Sequence, residues 1–114
     1  MDLIKSNSDN RLRFVTSKRE YREVYTKNSK RKGDLFIFLV QKIPESLFAV
    51  GIVVSKKVGI AVVRNKVKRR IKSFVRENVS QLPTSQKIVI IAKPAAATAN
   101  WQEIKRELTE FLIV

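Results

Sequence analysis

The sequence predicts one α/β domain in which helices cover a sheet of strands that are apolar on both faces. Apolar runs rich in β-forming residues alternate with amphipathic segments in the order helix, strand, strand, helix, strand, helix. The runs at residues 35–40 and 47–55 are apolar almost throughout, which is typical of strands buried on both sides. With 114 residues, 44% of them hydrophobic, the chain can form one core and is too short for two domains.

The chain opens with a polar and basic arm, residues 1–12, which we expect to be flexible. Ser17 followed three positions later by Glu20 is a capping-box pattern, which predicts that a helix begins there. Its apolar residues recur at helical spacing: Tyr21, Val24 and Tyr25. A basic segment with a glycine ends the helix, and it leaves room for a short extra strand at residues 28–33.

The two central apolar runs are separated by QKIPES, a short loop with a proline, so an antiparallel pair of strands is predicted. A helix follows at residues 61–77, and a third apolar strand at residues 87–92. The second strand, this helix and the third strand form a β-α-β unit. We therefore expect those two strands to lie parallel.

The last helix is predicted from a second capping box, Asn100 with Glu103. Apolar residues then recur at helical spacing: Trp101, Ile104, Leu108 and Phe111. Its acidic residues are interpreted as a solvated face, in preference to a pair of metal ligands: Glu103, Glu107 and Glu110. No metal site in the protein is predicted.

The helix at residues 61–77 has an apolar side and a basic side. On a wheel of about 100° per residue, the apolar side holds Val63, Val67, Ile71, Phe74 and Val75. The opposite side holds Asn65, Lys66, Lys68, Arg69, Lys72 and Arg76, with Arg64 and Arg70 at the borders. From residue 55 to residue 76 there are nine basic residues and no acidic one. Solvated helix faces usually mix signs, because opposite charges four residues apart stabilise a helix, so we predict that this side binds a polyanion.

The whole chain has the same imbalance, with a net charge of +14. A charge of this size repels itself in a small fold unless a polyanion offsets it, so nucleic acid is the first candidate partner and an anionic membrane surface the second. The longest apolar run is far shorter than the roughly 20 residues of a membrane-spanning helix, and no signal peptide is recognised. We expect no membrane association and a cytoplasmic location, which the absence of cysteine also fits.

Several kinds of active site are excluded by composition. The chain has no cysteine and no histidine, so it has no Cys/His zinc site and no Ser–His or Cys–His nucleophile. Its three glycines form no phosphate-binding loop. The residues favour a binding module over a catalyst that acts alone.

The segment SKKVGIAVVRNKVKRRIKSFVRE resembles the protein subunit of bacterial ribonuclease P. The motif is a Lys-Lys-x-Gly approach, then Ala-Val, then Arg-Asn-x-x-Lys-Arg in one helix: Lys56, Lys57, Gly59, Ala61, Val62, Arg64, Asn65, Lys68 and Arg69. EYREVY and KIVIIAKPAA match the family more weakly, and the resemblance covers about residues 11–112. Ile60 departs from the family, which often has a polar or basic residue there.

The resemblance implies a two-layer α/β sandwich of order αβββαβα with a left-handed β-α-β crossover, a fold shared with the second domain of a small-subunit ribosomal protein. It implies a subunit that joins a catalytic RNA and helps to remove the 5′ leader of precursor tRNA. The active site and its Mg²⁺ would lie in the RNA, so the protein alone would be inactive. Separately, we predict no stable protein partner. The motif residues inherit a role in binding the catalytic RNA, and the same face adds Lys66, Lys72 and Arg76.

The resemblance also implies a cleft between the first helix and the sheet that receives the leader as a single strand. Tyr21 and Tyr25 match the aromatic positions of that helix, with Tyr21 the one we expect to contact the leader. Phe36 and Phe38 are assigned to the same cleft without a motif to support them. A basic ribosomal or other structural RNA-binding protein is the alternative, and a membrane-surface protein is a weaker one.

Overall fold

The computed structural model describes residues 11–113, which form a five-stranded mixed sheet with three α-helices. The elements in chain order are β1 (Leu12–Phe14), α1 (Lys18–Thr26), β2 (Ser29–Lys32), β3 (Phe36–Lys42), β4 (Phe48–Val53), α2 (Ala61–Glu77), β5 (Gln86–Ala92) and α3 (Trp101–Leu112). Short 3₁₀ turns precede β5 and α3 (Val79–Gln81 and Pro94–Ala97). The α/β class is confirmed. The predicted arm lies outside the described residues except at its end, where β1 begins.

The sheet has the strand order β1-β4-β5-β3-β2. The β4 and β5 strands pair in parallel, as predicted from the β-α-β unit, with Val50 opposite Ile88. The predicted antiparallel pairing of β3 with β4 is wrong, because β5 lies between them and pairs antiparallel with β3. The central residues of β5 are buried on both faces, which is typical of a strand in the middle of a sheet with a neighbour on each side.

Two short strands complete the edges of the sheet. The extra strand that the sequence allowed at residues 28–33 is β2, which pairs antiparallel with β3. The opposite edge is β1, which pairs in parallel with β4 and was not predicted. Three residues give too short a pattern to be recognised as a strand, although Leu12 and Phe14 do alternate with Arg13.

The two faces of the sheet are covered differently. The helices α2 and α3 pack on one face, over a core that includes Phe36, Val50 and Ile90. On the other face, α1 buries Val24 against Leu39 and Val89, and the surrounding Ile37, Val53 and Ile91 are only partly buried. The first helix therefore adds a partial cover to the two-layer sandwich. Within residues 11–113, no helix is both long enough and apolar enough to cross a membrane.

Both predicted capping sites begin helices. At α3, the Asn100 side chain accepts a hydrogen bond from the Glu103 backbone N–H (2.8 Å), and the Glu103 carboxylate accepts one from the Asn100 N–H (2.9 Å). At α1, Ser17 accepts from the Glu20 N–H (3.1 Å), which is half of the box. The Glu20 carboxylate instead binds Arg13 and Lys87.

The prediction of a solvated acidic face on α3 is wrong for Glu107, whereas Glu103 and Glu110 are exposed. Glu107 is buried, and its carboxylate accepts hydrogen bonds from the backbone N–H groups of Asp34, Leu35 and Phe36. A Cβ at Gly33 would collide with the same carboxylate, so only glycine fits there. Glu107 thus fixes the turn into β3.

Candidate nucleic-acid interface

The helix α2 separates its apolar and basic residues as the sequence predicted. Val67, Ile71, Phe74 and Val75 are buried against the sheet. The opposite side, which we call the basic face, consists of Asn65, Lys66, Lys68, Arg69, Lys72 and Arg76. Lys68 and Lys72 are partly buried, and the other four are exposed. The helix bounds agree with the predicted residues 61–77.

The approach to α2 places three further motif residues beside the basic face. Lys56 and Lys57 are exposed in the turn before the helix. Arg64 is partly buried, and its Nε donates a hydrogen bond to the carbonyl oxygen of Gly59 at 3.1 Å. This contact uses one of the five guanidinium donors, so Arg64 keeps donors for a phosphate. Ile60 and Val62 are largely exposed in the same segment.

The ion pairs of the described chain lie away from the basic face of α2, and Glu77 at the end of the helix takes part in none of them. Ion pairs among residues 11–113 join Arg13 and Lys87 to Glu20, and Arg13 to Glu45. The pKa of Glu20 falls to about 2, because Arg13 and Lys87 donate hydrogen bonds to its carboxylate. No described acid forms an ion pair with the basic face, so its charge is available to an external anion.

One end of the basic face rests on an aromatic ring from β1. The Lys72 Nζ lies 5.8 Å and the Arg76 Cζ 5.1 Å from the centre of the Phe14 ring. An aromatic face attracts cations, so Phe14 holds these two side chains near the sheet. This role was not predicted, because β1 is only three residues long; its one signal in the sequence is the alternation of Leu12 and Phe14 with Arg13.

A groove lies between α1 and strand β4, and we call it the tyrosine groove. Its volume is about 560 Å³, and its lining is Lys18, Tyr21, Arg22, Tyr25, Ile52, Val53, Val54 and Lys68. Its walls are aromatic and aliphatic, and its charged side chains are all cationic. This combination suits single-stranded nucleic acid, which stacks bases on rings and places phosphates on cations.

Tyr21 is held in place in this groove. Its hydroxyl donates to the carbonyl oxygen of Val15 (3.3 Å) and accepts from the Ile52 N–H (3.2 Å). Burial raises the pKa of Tyr21, so the phenol stays protonated. Tyr25, 48% exposed, is less constrained, and its ring centre lies 6.5 Å from that of Tyr21. A Cβ at Gly51 would lie 2.7 Å from a carbon of the Tyr21 ring, so the strand needs glycine there for the ring to approach.

The assignment of Phe36 and Phe38 to this groove is wrong. Both side chains are fully buried on the opposite face of the sheet, beneath α2 and α3. Phe38 stacks on Phe111 of α3 at 4.5 Å between ring centres. Side chains alternate between the two faces along a strand. Leu39 of β3 packs on α1, so Phe36 and Phe38 must point to the other face. Because residues 35–40 are apolar on both faces of the strand, the sequence did not show which face the first helix covers.

The basic face and the tyrosine groove meet at Lys68. Its side chain belongs to the basic face and also lines the groove. One continuous surface therefore leads from the exposed side of α2 to the aromatic rings of α1. Among residues 11–113, no cluster of three or more acidic, histidine or cysteine side chains is arranged as metal ligands would be.

Comparison with known proteins shows which family the chain resembles. The family model described as Ribonuclease P matches residues 9–113. The ribonuclease P protein component of Lactiplantibacillus plantarum is 36% identical over 99 residues, which cover 86% of this chain and 87% of that protein. That of a Nocardioides species is 50% identical over 64 residues, and this alignment covers 56% of the chain and only 55% of the relative.

Solved structures agree with this match. The RNase P protein of Staphylococcus aureus superposes with a TM-score of 0.80 at 26% identity, covering 85% of this chain and 89% of that one. The RNase P protein of Thermotoga maritima has a TM-score of 0.80 at 24% identity, covering 86% and 93%. The second likeness concerns the fold alone.

Proposed function

This chain belongs to the ribonuclease P protein family, and we propose that it binds the catalytic RNA of that ribonucleoprotein through the basic face of α2. One observation carries the proposal: a helix face with five cations and one asparagine has no described acidic partner. It also holds most of the Arg-Asn-x-x-Lys-Arg motif. Lys56, Lys57 and Arg64 extend the contact towards the start of the helix.

We further propose that the tyrosine groove receives the 5′ leader of precursor tRNA as a single strand. Tyr21 and Tyr25 offer ring faces to the bases, and Lys18, Arg22 and Lys68 lie within reach of the backbone. Stacking and backbone charge tolerate many sequences, because every base has a ring face and every nucleotide a phosphate. The leader would therefore be bound with little sequence preference.

The subunit contributes electrostatics and positioning to the reaction. Two polyanionic RNAs must approach each other, and a subunit of net charge +14 lowers their repulsion. Mg²⁺, which supplies a Lewis acid and activates water, would be held mainly by RNA, since the described residues offer it no carboxylate cluster. We assign no catalytic residue to the protein, and we place its action in the cytoplasm, without a membrane or a stable protein partner.

Reconstitution tests this proposal. The purified full chain should leave precursor tRNA uncut, whereas adding the cognate RNA subunit at low Mg²⁺ should restore rapid cleavage at the mature 5′ end. Cleavage by the chain alone, persisting after rigorous removal of contaminating nucleases, would contradict it. Tighter binding to ribosomal RNA than to the RNA subunit would favour the alternative, a structural RNA-binding protein.

A further inference from the structure

A second groove lies on the flank of α2 that faces away from the tyrosine groove, and we call it the indole groove. Its volume is about 580 Å³, and its lining is Arg69, Arg70, Lys72, Ser73, Arg76, Glu77 and Trp101. On a wheel of about 100° per residue, Arg70 and Glu77 lie roughly 180–200° around α2 from Lys68. The basic face thus has a concave site at each border.

The indole groove is strongly cationic. Four of its lining side chains are Arg or Lys, and Glu77 is the one acid. The ion pairs found within the described part of the chain do not include these cations. A concave surface focuses the field of like charges and raises the local concentration of anions.

Arg70 is held in position at this site. Its guanidinium donates a hydrogen bond to the carbonyl oxygen of Ala99 at 3.3 Å and lies 6.0 Å from the centre of the Trp101 ring. The Lys105 ammonium lies 5.5 Å from the same ring. The held guanidinium keeps further donors, and a pre-ordered fork loses less entropy when it binds a phosphate.

Trp101 contributes both to the core and to the groove. It packs against the main core, yet it is only partly buried and forms part of the groove wall. Anchoring α3 to the core explains the packing but not the exposure to the groove. An aromatic ring that remains accessible among cations is the arrangement on which unpaired bases stack.

We propose that the indole groove binds an unpaired nucleotide of the RNA subunit, with its base against Trp101 and its phosphates on Arg70 and the neighbouring arginines. This inference rests on the proposed function. It assigns the nucleotide to the RNA subunit because the groove shares Arg69, Lys72 and Arg76 with the basic face. The leader is assigned to the opposite flank.

Trp101 is the only tryptophan of the chain, so its fluorescence reports directly on this site. The full chain is titrated with the RNA subunit, with a leader oligonucleotide and with inorganic polyphosphate, while binding is measured separately by filter retention. Saturation with the RNA subunit should lower the emission about twofold, because a stacked base quenches indole. The leader and polyphosphate should bind with little change in emission.

The outcomes separate this inference from the proposed function. If the RNA subunit binds and supports cleavage while the emission stays constant, the indole groove is not its site. Equal quenching by the leader would overturn the assignment to the RNA subunit, and equal quenching by polyphosphate would overturn base stacking. If the RNA subunit does not bind at all, the proposed function fails as well.

A charge-matched pair of variants gives a second test. Arg70→Ala should lower the affinity for the RNA subunit about tenfold at moderate salt, because a bidentate phosphate contact is lost. Arg19→Ala removes the same charge from an exposed position on α1 and should change it less than about twofold. Equal losses in the two variants would contradict a specific role for Arg70.

Discussion

The basic face of α2 and the tyrosine groove are neighbours, but they offer RNA different chemistry. The basic face consists of cations and one asparagine, whereas the groove has aromatic and aliphatic walls with cations at its edge. Binding by charge releases counterions and weakens steeply with salt, while stacking on a ring responds much less. The difference suggests that one small domain can bind two RNAs, one mainly through charge and the other mainly through stacking.

The two sides of the molecule also differ in whether their cations are paired with acidic residues. On the α1 side of the sheet, Glu20 pairs with Arg13 and Lys87, and Glu45 also pairs with Arg13, so two acids balance these two cations within the fold. On the basic face, no described acid performs this role. Glu20, Glu103 and Glu107 form contacts within the fold, whereas the cations of the basic face are left without a described ion-pair partner.

The largest expected effect comes from the basic face. Lys66→Ala combined with Arg69→Ala should weaken binding to the RNA subunit about 10- to 100-fold at moderate salt, because two phosphate contacts are lost. The plot of log affinity against log salt should become shallower by about 1.5, at roughly 0.7–0.9 per contact. Both residues are exposed, so the fold should be unaffected. Equilibrium binding over a range of salt concentrations measures both quantities.

A matched control sharpens this result. Arg19→Ala with Lys30→Ala removes the same total charge from exposed positions on α1 and β2. We expect less than about a threefold change in affinity, because neither lies on the basic face. If both double variants lose the same affinity, total charge governs binding and the basic face has no special role.

The next effect belongs to the tyrosine groove. Tyr21→Ala should lower the affinity of the reconstituted holoenzyme for precursor tRNA about tenfold, within the 1–3 kcal/mol typical of one stacked base. Affinity for mature tRNA, which has no leader, should stay within about twofold, and so should the salt dependence. Tyr21→Phe keeps the ring and serves as the control. Equal losses for both tRNAs would remove the leader from this groove.

A smaller effect is expected from Gly51→Ala. The new Cβ would meet the Tyr21 ring at 2.7 Å, so the ring must shift within the groove. We expect about a threefold loss of affinity for precursor tRNA and a free energy of unfolding lower by about 1–3 kcal/mol, as for other overpacked sites. Binding to the RNA subunit should not change. A loss confined to that RNA would contradict the separation of the two regions.

The smallest effect concerns Glu20, whose pKa is about 2 in the folded chain. A lowered pKa adds stability that is fully present above the unfolded value of about 4.3 and is lost as the pH falls towards 2. Glu20→Gln should lower the free energy of unfolding by about 1 kcal/mol at neutral pH. Denaturant titrations of both proteins should converge near pH 2. A constant difference at every pH would show that the charge of Glu20 is not what stabilises the fold.

The strong local patterns predicted most of the elements. The bounds of α2 and the cap at Asn100 are confirmed, because a helix of 17 residues and a reciprocal capping box are long or specific signals. The pairing of β3 with β5 and the covered face of β3 could not be predicted, because both depend on contacts distant in sequence. This explains why Phe36 and Phe38 were placed in the wrong region.

The candidate RNA-binding site was likewise predictable only where its residues are close together in the sequence. The basic face was predicted from α2 alone, since its residues are local in sequence. Two other features join elements that are distant in sequence, so no local pattern indicated these contacts. Phe14 of β1 supports Lys72 and Arg76 of α2, and Arg70 of α2 contacts Ala99 before α3. Glu107 was misjudged for the same reason, because its partners lie more than 70 residues away.

Site-specific crosslinking tests the division between the two regions most directly. The chain has no cysteine, so Lys66→Cys and Tyr25→Cys each create a single attachment site for a photoreactive group. Both positions are exposed, one on the basic face and one in the tyrosine groove. In the holoenzyme with bound precursor tRNA, we predict crosslinks from position 66 to the RNA subunit and from position 25 to the leader. Crosslinks from both positions to the same RNA would contradict the account.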